Sequence, residues 1–234
     1  MHTKILIAFV SLLSPMVFGQ IGNPVFNYSI ADNRVVVSEF VEFEGLTADQ
    51  IFINSLLYAI DQGSRELENI EKIDFRLKRF VIKQQVLSTT YASTGTLYKY
   101  TTQFQIDDNT LSFLSHNITF EAKTILGEVR STPFERLDPD KKNKDKVYLD
   151  EFISGNTRFL EAMFEFIKTN EYPAVTHWDE LIAGKLVKGM NKTECTLLCG
   201  KPVNIRDTGT KIRWMFNNDF IVFFENGVIT SIIK

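Results

Sequence analysis

Tyr98-Lys99-Tyr100-Thr101-Thr102-Gln103-Phe104-Gln105-Ile106, the turn Asp107-Asp108-Asn109, and then Leu114-Ser115-His116-Asn117-Ile118-Thr119-Phe120 decide how this chain folds. Alternation of apolar and polar residues marks a strand with one wet face, and Asp and Asn tolerate the tight geometry of a hairpin turn. Tyr98, Tyr100, Thr102, Phe104 and Ile106 share one face. Leu114, His116, Ile118 and Phe120 are predicted to share the apolar face of the next strand, which makes His116 a satisfied core or sheet-edge imidazole rather than a ligand or a base. Upstream, Ile73 to Lys78 also alternates and reads as a strand, and Arg34 to Glu44 is β-branched and aromatic up to Gly45. Between them Thr47 and Gln50 write a reciprocal cap, Phe52, Leu56, Ala59 and Ile60 recur at helical spacing, and Gly63 supplies a left-handed stop.

Downstream, Arg136 to Lys146 is dense in charge and contains Pro139, so it reads as a solvated loop. A helix is predicted from about Thr157, with Phe159, Met163, Phe166 and Ile167 on one face. Glu161 and Glu165, four apart, are neighbours on the other face, but Arg158 and Lys168 beside them favour an exposed salt-bridged surface over a catalytic pair. Asn170 to Pro173 ends this helix and marks a domain boundary. In the last sixty residues Thr176 is predicted to cap a short helix carrying Trp178, Leu181, Ile182 and Leu186. Asn191 caps the next, with Glu194 in the reciprocal position and Cys195, Leu198 and Cys199 on its apolar face. Three strands follow, with joints at Asp207-Thr208-Gly209, Asn217-Asn218 and Asn226-Gly227, the last a strong hairpin signal.

The 234 residues carry 26 Lys+Arg against 29 Asp+Glu, a net charge of −3, with 44% hydrophobic content. Such a balance belongs to globular protein and argues against a nucleic-acid binder, which needs a basic face to displace counterions from phosphate. At the amino end Lys4 precedes the uncharged run Ile5 to Leu13, and Val17 and Gly19 supply small side chains before Gln20. This order predicts a secretory signal peptide over 1–19, cut after Gly19, with an apolar run too short to span a bilayer. No Cys follows it, so a lipid anchor is not expected, and no other run is long enough to cross a membrane. Asn-x-Ser/Thr triplets stand at Asn27, Asn117 and Asn191.

Cys195 and Cys199 are the chain's two cysteines. Three readings stay open for them: core thiols, favoured because side chains four apart on a helix point along one face; a strained or intermolecular disulfide; and metal or nucleophile chemistry, for which no neighbouring His is at hand. His177 with Asp179 or Glu180 is a possible hydrolase pair, but acidic residues at a helix start are ordinary dipole chemistry.

The stretch Lys188-Gly189-Met190-Asn191-Lys192-Thr193-Glu194 through Gly200-Lys201-Pro202, with Arg213-Trp214-Met215-Phe216 and Phe223-Phe224-Glu225-Asn226-Gly227-Val228, resembles the SmpA/OmlA (BamE-like) family. The resemblance covers roughly residues 174 to 234. It implies a helix-helix-sheet binding scaffold, also found in β-lactamase inhibitor proteins, and carries no functional residues. The segment from Val37 to about Asn170 is similar to exported bacterial domains of unknown function with a TATA-binding-protein-like (TBP-like) fold.

Together these readings predict an α+β chain of two modules after the leader: 20–170, an antiparallel sheet with packed helices, and 174–234, a helix-helix-three-stranded-sheet module. The expected function is that of an exported, non-enzymatic envelope protein, periplasmic or outer-membrane-associated, that binds another envelope protein as an assembly accessory. An inhibitor or a carrier of a small apolar ligand, using Tyr98 and Tyr100, is the alternative. No catalytic, metal or cofactor site is expected.

Overall fold

A computed structural model describes residues 28–31, 34–62, 69–90, 95–123, 127–136, 143–171, 173–217 and 220–233. The leader, Asn27, Gly63 and Asn218 lie outside these residues. The larger sheet contains β1 (Tyr28–Ala31), β2 (Arg34–Glu42), β3 (Ile70–Asp74), β4 (Arg79–Leu87), β5 (Leu97–Asp107), β6 (Thr110–Lys123) and β7 (Val129–Pro133). Its order is β1-β2-β6-β5-β4-β3, with β7 also paired to β6 and every pairing antiparallel. Helices α1 (Ala48–Gln62) and α2 (Asn143–Thr169) cover one face. The Thr47–Gln50 reciprocal cap opens α1: Thr47 N donates to Gln50 Oε1 at 2.9 Å and Gln50 N donates to Thr47 Oγ1 at 3.3 Å.

The inner face follows the alternation of β5. Tyr98, Tyr100, Thr102, Phe104 and Ile106 are all buried, and Phe104 stacks on Phe80 of β4 at 4.7 Å. Beneath them Phe52 of α1 meets Phe75 edge-on at 5.8 Å, and Phe152 of α2 meets Tyr100 at 5.0 Å. Asn54 Nδ2 donates to the carbonyls of Ile167 and Asn170, tying α1 to the end of α2.

The expected shared face of Leu114, His116, Ile118 and Phe120 is broken by a bulge. Thr101 pairs with His116 and Lys99 with Thr119, so Asn117 and Ile118 together oppose Tyr100, and Asn117 takes a left-handed φ of 53°. Ile118 is thereby turned inward while His116 faces out, half-buried, with its Nε2 2.9 Å from Gln103 Nε2. Likewise the Ile73 to Lys78 strand stops at Asp74. Asp74 Oδ1 accepts from Leu77 N at 2.9 Å and Lys78 adopts a φ of 45°, making 75–78 the turn into β4.

The helix expected from Thr157 begins at Asn143, so 143–146 of the expected loop are its first turn. Asp145, Tyr148, Leu149 and Phe152 are buried at helical spacing. The run of lysines in the sequence hid this stripe, because dense charge looks like loop composition.

The carboxyl-terminal residues form α3 (Trp178–Ile182), α4 (Lys192–Cys199) and an antiparallel sheet of β8 (Asn204–Asp207), β9 (Ile212–Met215), β10 (Ile221–Glu225) and β11 (Val228–Ile233), in the order β11-β10-β9-β8. Four strands stand where three were expected. The extra one, β8, is exposed at every residue and so has no hydrophobic signature. Trp214, Phe216, Val222, Phe224 and Ile229 face the helices and join one continuous apolar cluster with the core of the larger sheet. Lys201 reaches α1, 2.5 Å from Asp61 Oδ1.

A buried carboxylate organises this region. Glu194 is 0% exposed and accepts from Thr176 N (2.6 Å), His177 N (2.8 Å) and Asn191 N (2.8 Å), with His177 Nδ1 at 3.1 Å. Asn191 returns the cap by accepting from Glu194 N at 2.9 Å, and its Nδ2 donates to Ala174 O. Thr176, expected to cap α3, is instead held by Glu194, and His177 occupies the cap position with no side-chain bond to the helix. The buried face of α4 is Glu194, Cys195 and Leu197, with Leu198 half-buried. Burial works against the Glu194 charge, but the amides of Asn191, Thr176 and His177 outweigh it and hold its pKa below the ordinary carboxylate value. Its contribution is therefore complete above the unfolded pKa and is lost as pH falls through the folded one. Glu194→Gln is expected to cost about 2–4 kcal/mol at neutral pH and to flatten the acid limb of a urea-midpoint-against-pH curve.

Candidate functional site

Between α2 and the β4–β5 pair lies a narrow cleft lined by Leu87, Thr89, Tyr98, Tyr100, Glu151, Gly155, Asn156 and Arg158, with room for about one water molecule. Glu151 closes one end. Its Oε2 accepts from Tyr98 Oη at 2.6 Å and Ser88 Oγ at 2.8 Å, while Oε1 accepts from Thr89 Oγ1 at 2.6 Å, Thr90 N at 2.9 Å and Thr89 N. The carboxylate thus takes up the amides where β4 ends. Partial burial opposes ionisation, but these hydrogen bonds prevail and pull the Glu151 pKa down to about 2. Burial and the adjacent Glu151 push the Tyr98 hydroxyl upward, so it stays a donor.

A hydrogen-bonded row crosses the buried face of the sheet behind the cleft. Thr102 Oγ1 donates to Gln84 Oε1 at 3.0 Å, and Thr102 and Ser115 hydroxyls are 2.9 Å apart. Thr102 has one proton, already given to Gln84, so Ser115 must donate to Thr102. Asn156 Nδ2 then donates to Ser115 Oγ at 3.5 Å. The row ends on Asn156 Oδ1, which has no partner among the described residues, nor does the Tyr100 hydroxyl in the same cleft. Asn156 is 1% and Tyr100 3% exposed. Burial pushes the Tyr100 hydroxyl well above its ordinary value, keeping it protonated. Tyr100 is also the residue facing the Asn117–Ile118 bulge. The residues expected to form a hydrophobic site, Tyr98 and Tyr100, therefore meet in one place, with Val86 and Phe152 beside them, but around a water-sized space that holds unpartnered polar atoms.

The remaining residues singled out by sequence do not converge. His177 points its Nδ1 at Glu194, and Asp179 and Glu180 begin α3 without contributing to that cluster. Arg158 Nε donates to Ser154 O at 3.4 Å. Cys195 and Cys199 are not joined in a disulfide, and Cys195 is fully buried; its hydrogen bond with Cys199 and its burial hold the Cys195 thiol protonated, as core packing requires. Sequence reasoning missed Glu151, Asn156, Thr102 and Ser115. Asn156 lay outside the helix expected from Thr157; its spacing of four from Phe152 and three from Phe159 would have put it on the buried side had the helix been extended upstream.

A second feature lies on the outer face of the smaller sheet. Register places Ile233, Ile221, Met215 and Asn204 in one row, and Ser231, Phe223, Arg213 and Arg206 in the next. Arg206 and Arg213 stand directly opposite, an arrangement that like charges disfavour. Arg213 Nε is buried without a partner among the described residues, and β8 ends the sheet as an exposed edge with Ile205 57% exposed.

No protein-family model matches the sequence, and no curated protein matches it significantly. Two solved structures are similar in fold. A TBP-like protein from Parabacteroides distasonis has 13% sequence identity and a TM-score of 0.53, covering 61% of this chain and 98% of that one. A DUF4468 family protein from Bacteroides ovatus has 12% identity and a TM-score of 0.46, covering 63% and 94%. The fold of the amino-terminal part is TBP-like. This agrees with the resemblance read from its strands and helix, and says nothing of activity.

Two outcomes follow from the cleft. Glu151 is expected to remain ionised in an NMR titration down to about pH 2, with Ser88 and Thr90 signals moving only near that value. A methyl built on Gly155 meets Val86 Cγ1 at an ordinary 3.7 Å, so Gly155→Ala is expected to raise stability by up to ~1 kcal/mol through helix propensity, read from the urea midpoint.

Proposed function

We propose that this chain is an exported, non-enzymatic protein of the cell envelope, periplasmic or outer-membrane-associated and not lipid-anchored, that binds another envelope protein as an assembly accessory. The carrying observation is the open β8 edge beside a row of two facing arginines and the side chains of Met215, Ile221 and Phe223. An exposed edge accepts an extended segment by adding a strand, and the unrelieved Arg206–Arg213 pair selects a segment bearing Asp or Glu next to apolar residues. The leader read in residues 1–19 supports export, and the BamE-like reading of 174–234, with its helices on one face of this sheet, supports a binding scaffold. The alternative, an inhibitor or small apolar-ligand carrier, gains less support, because the Tyr98–Tyr100 cleft has only water-sized space and polar ends.

A photo-crosslinker at Ile205 of the full chain, activated in intact cells, tests the reading. A discrete adduct is expected, and the double reversal Arg206→Glu, Arg213→Glu is expected to cut its yield about tenfold, one lost charge-assisted contact of about 1.4 kcal/mol. Recovery of monomer alone, or an adduct indifferent to the reversal, overturns it.

A further inference from the structure

We propose that the cleft between α2 and the β4–β5 pair is a binding site for one hydroxyl group, held as water in the free chain and replaced by the hydroxyl of an alcohol-bearing ligand when one is present. The occupant donates to Asn156 Oδ1 and shares a hydrogen bond with the Tyr100 hydroxyl.

The polarity of the buried row makes the demand specific. Every proton in Asn156–Ser115–Thr102–Gln84 runs toward Gln84, so Asn156 Oδ1 is left as an acceptor that a donor must meet. A buried acceptor with no donor is costly, and so is a buried hydroxyl with no partner. Both occur here in one cleft, on residues from facing elements, and neither bonds the other. The water-sized space does not admit an aromatic ring, and an ionised carboxylate or phosphate has no proton to give Asn156 Oδ1. An ammonium ion meets the acceptor but cannot accept from Tyr100, whereas a hydroxyl does both.

Tyr100 keeps its place in the β4–β5 ladder opposite Gln84, while two residues of β6 oppose it on the other side. Gly155 lies on the α2 wall, and exposed Leu87 and Arg158 line the cleft, so an occupant can belong to a larger molecule.

The test is a high-resolution crystal structure of the full chain grown without alcohols, alongside the same crystals soaked in methanol. A single density peak within hydrogen-bond distance of both Asn156 Oδ1 and Tyr100 Oη is expected. If it is unchanged by methanol, the alcohol half of the proposal is overturned and a fixed water remains. If it is replaced by an oxygen carrying a methyl group, both halves stand. No peak, with Tyr100 bonded directly to Asn156, overturns the whole. In solution, Tyr100→Phe removes one of the occupant's two anchors and is expected to lower Tm by about 2–4 °C; an unchanged or higher Tm shows that the hydroxyl has no occupant to hold.

Discussion

The pairing of β5 with β6 is the contact on which the larger sheet hangs. These are its longest strands and they lie at its centre, with β4 and β3 on one side and β2 and β1 on the other. Both helices rest on the side chains they turn inward. A one-residue slip of either strand would turn its Phe104 or Phe113 to the wet face and part the two rings, so the register is fixed by burial. The single irregularity in this pair, at Asn117, is confined to the stretch that faces Tyr100. Elsewhere the ladder is continuous from Thr101 to the turn at Asp108.

Two carboxylates perform the same physical task, one on α2 and one on α4. Glu151 and Glu194 each gather amides that no helix or strand can satisfy: the end of β4 in one case, the entry to α3 and the start of α4 in the other. Charge makes such bonds stronger than neutral ones, and several donors converging on one oxygen pair offset the burial of that charge. The segments thus fixed are irregular in backbone but not loose.

What the sequence made legible follows from which signals are local. Period-two burial in β5, the Thr47–Gln50 and Asn191–Glu194 caps and the Asn226-Gly227 turn each depend on residues within a few positions of one another, and all of them form. The misreadings came from distant partners. Asn117 sits in a bulge opposite Tyr100 that period-two reading does not register. Thr176 is drawn from its helix by Glu194, eighteen residues away. The first turns of α2 bury Tyr148 against Phe120, ring to ring at 4.3 Å, in a stretch whose lysine-rich sequence reads as loop. The cleft was hardest to see, since Tyr100, Ser115 and Asn156 belong to three elements and each alone is an unremarkable core or strand residue.

The edge formed by β8 has a consequence for how copies of this chain meet one another. Two such edges joined about a twofold axis would add a second arginine pair to one already in mutual repulsion, in a strand only four residues long. Short length and clustered positive charge make the edge a poor template for its own kind. The same short, arginine-bearing edge thus disfavours polymerisation of the chain through it.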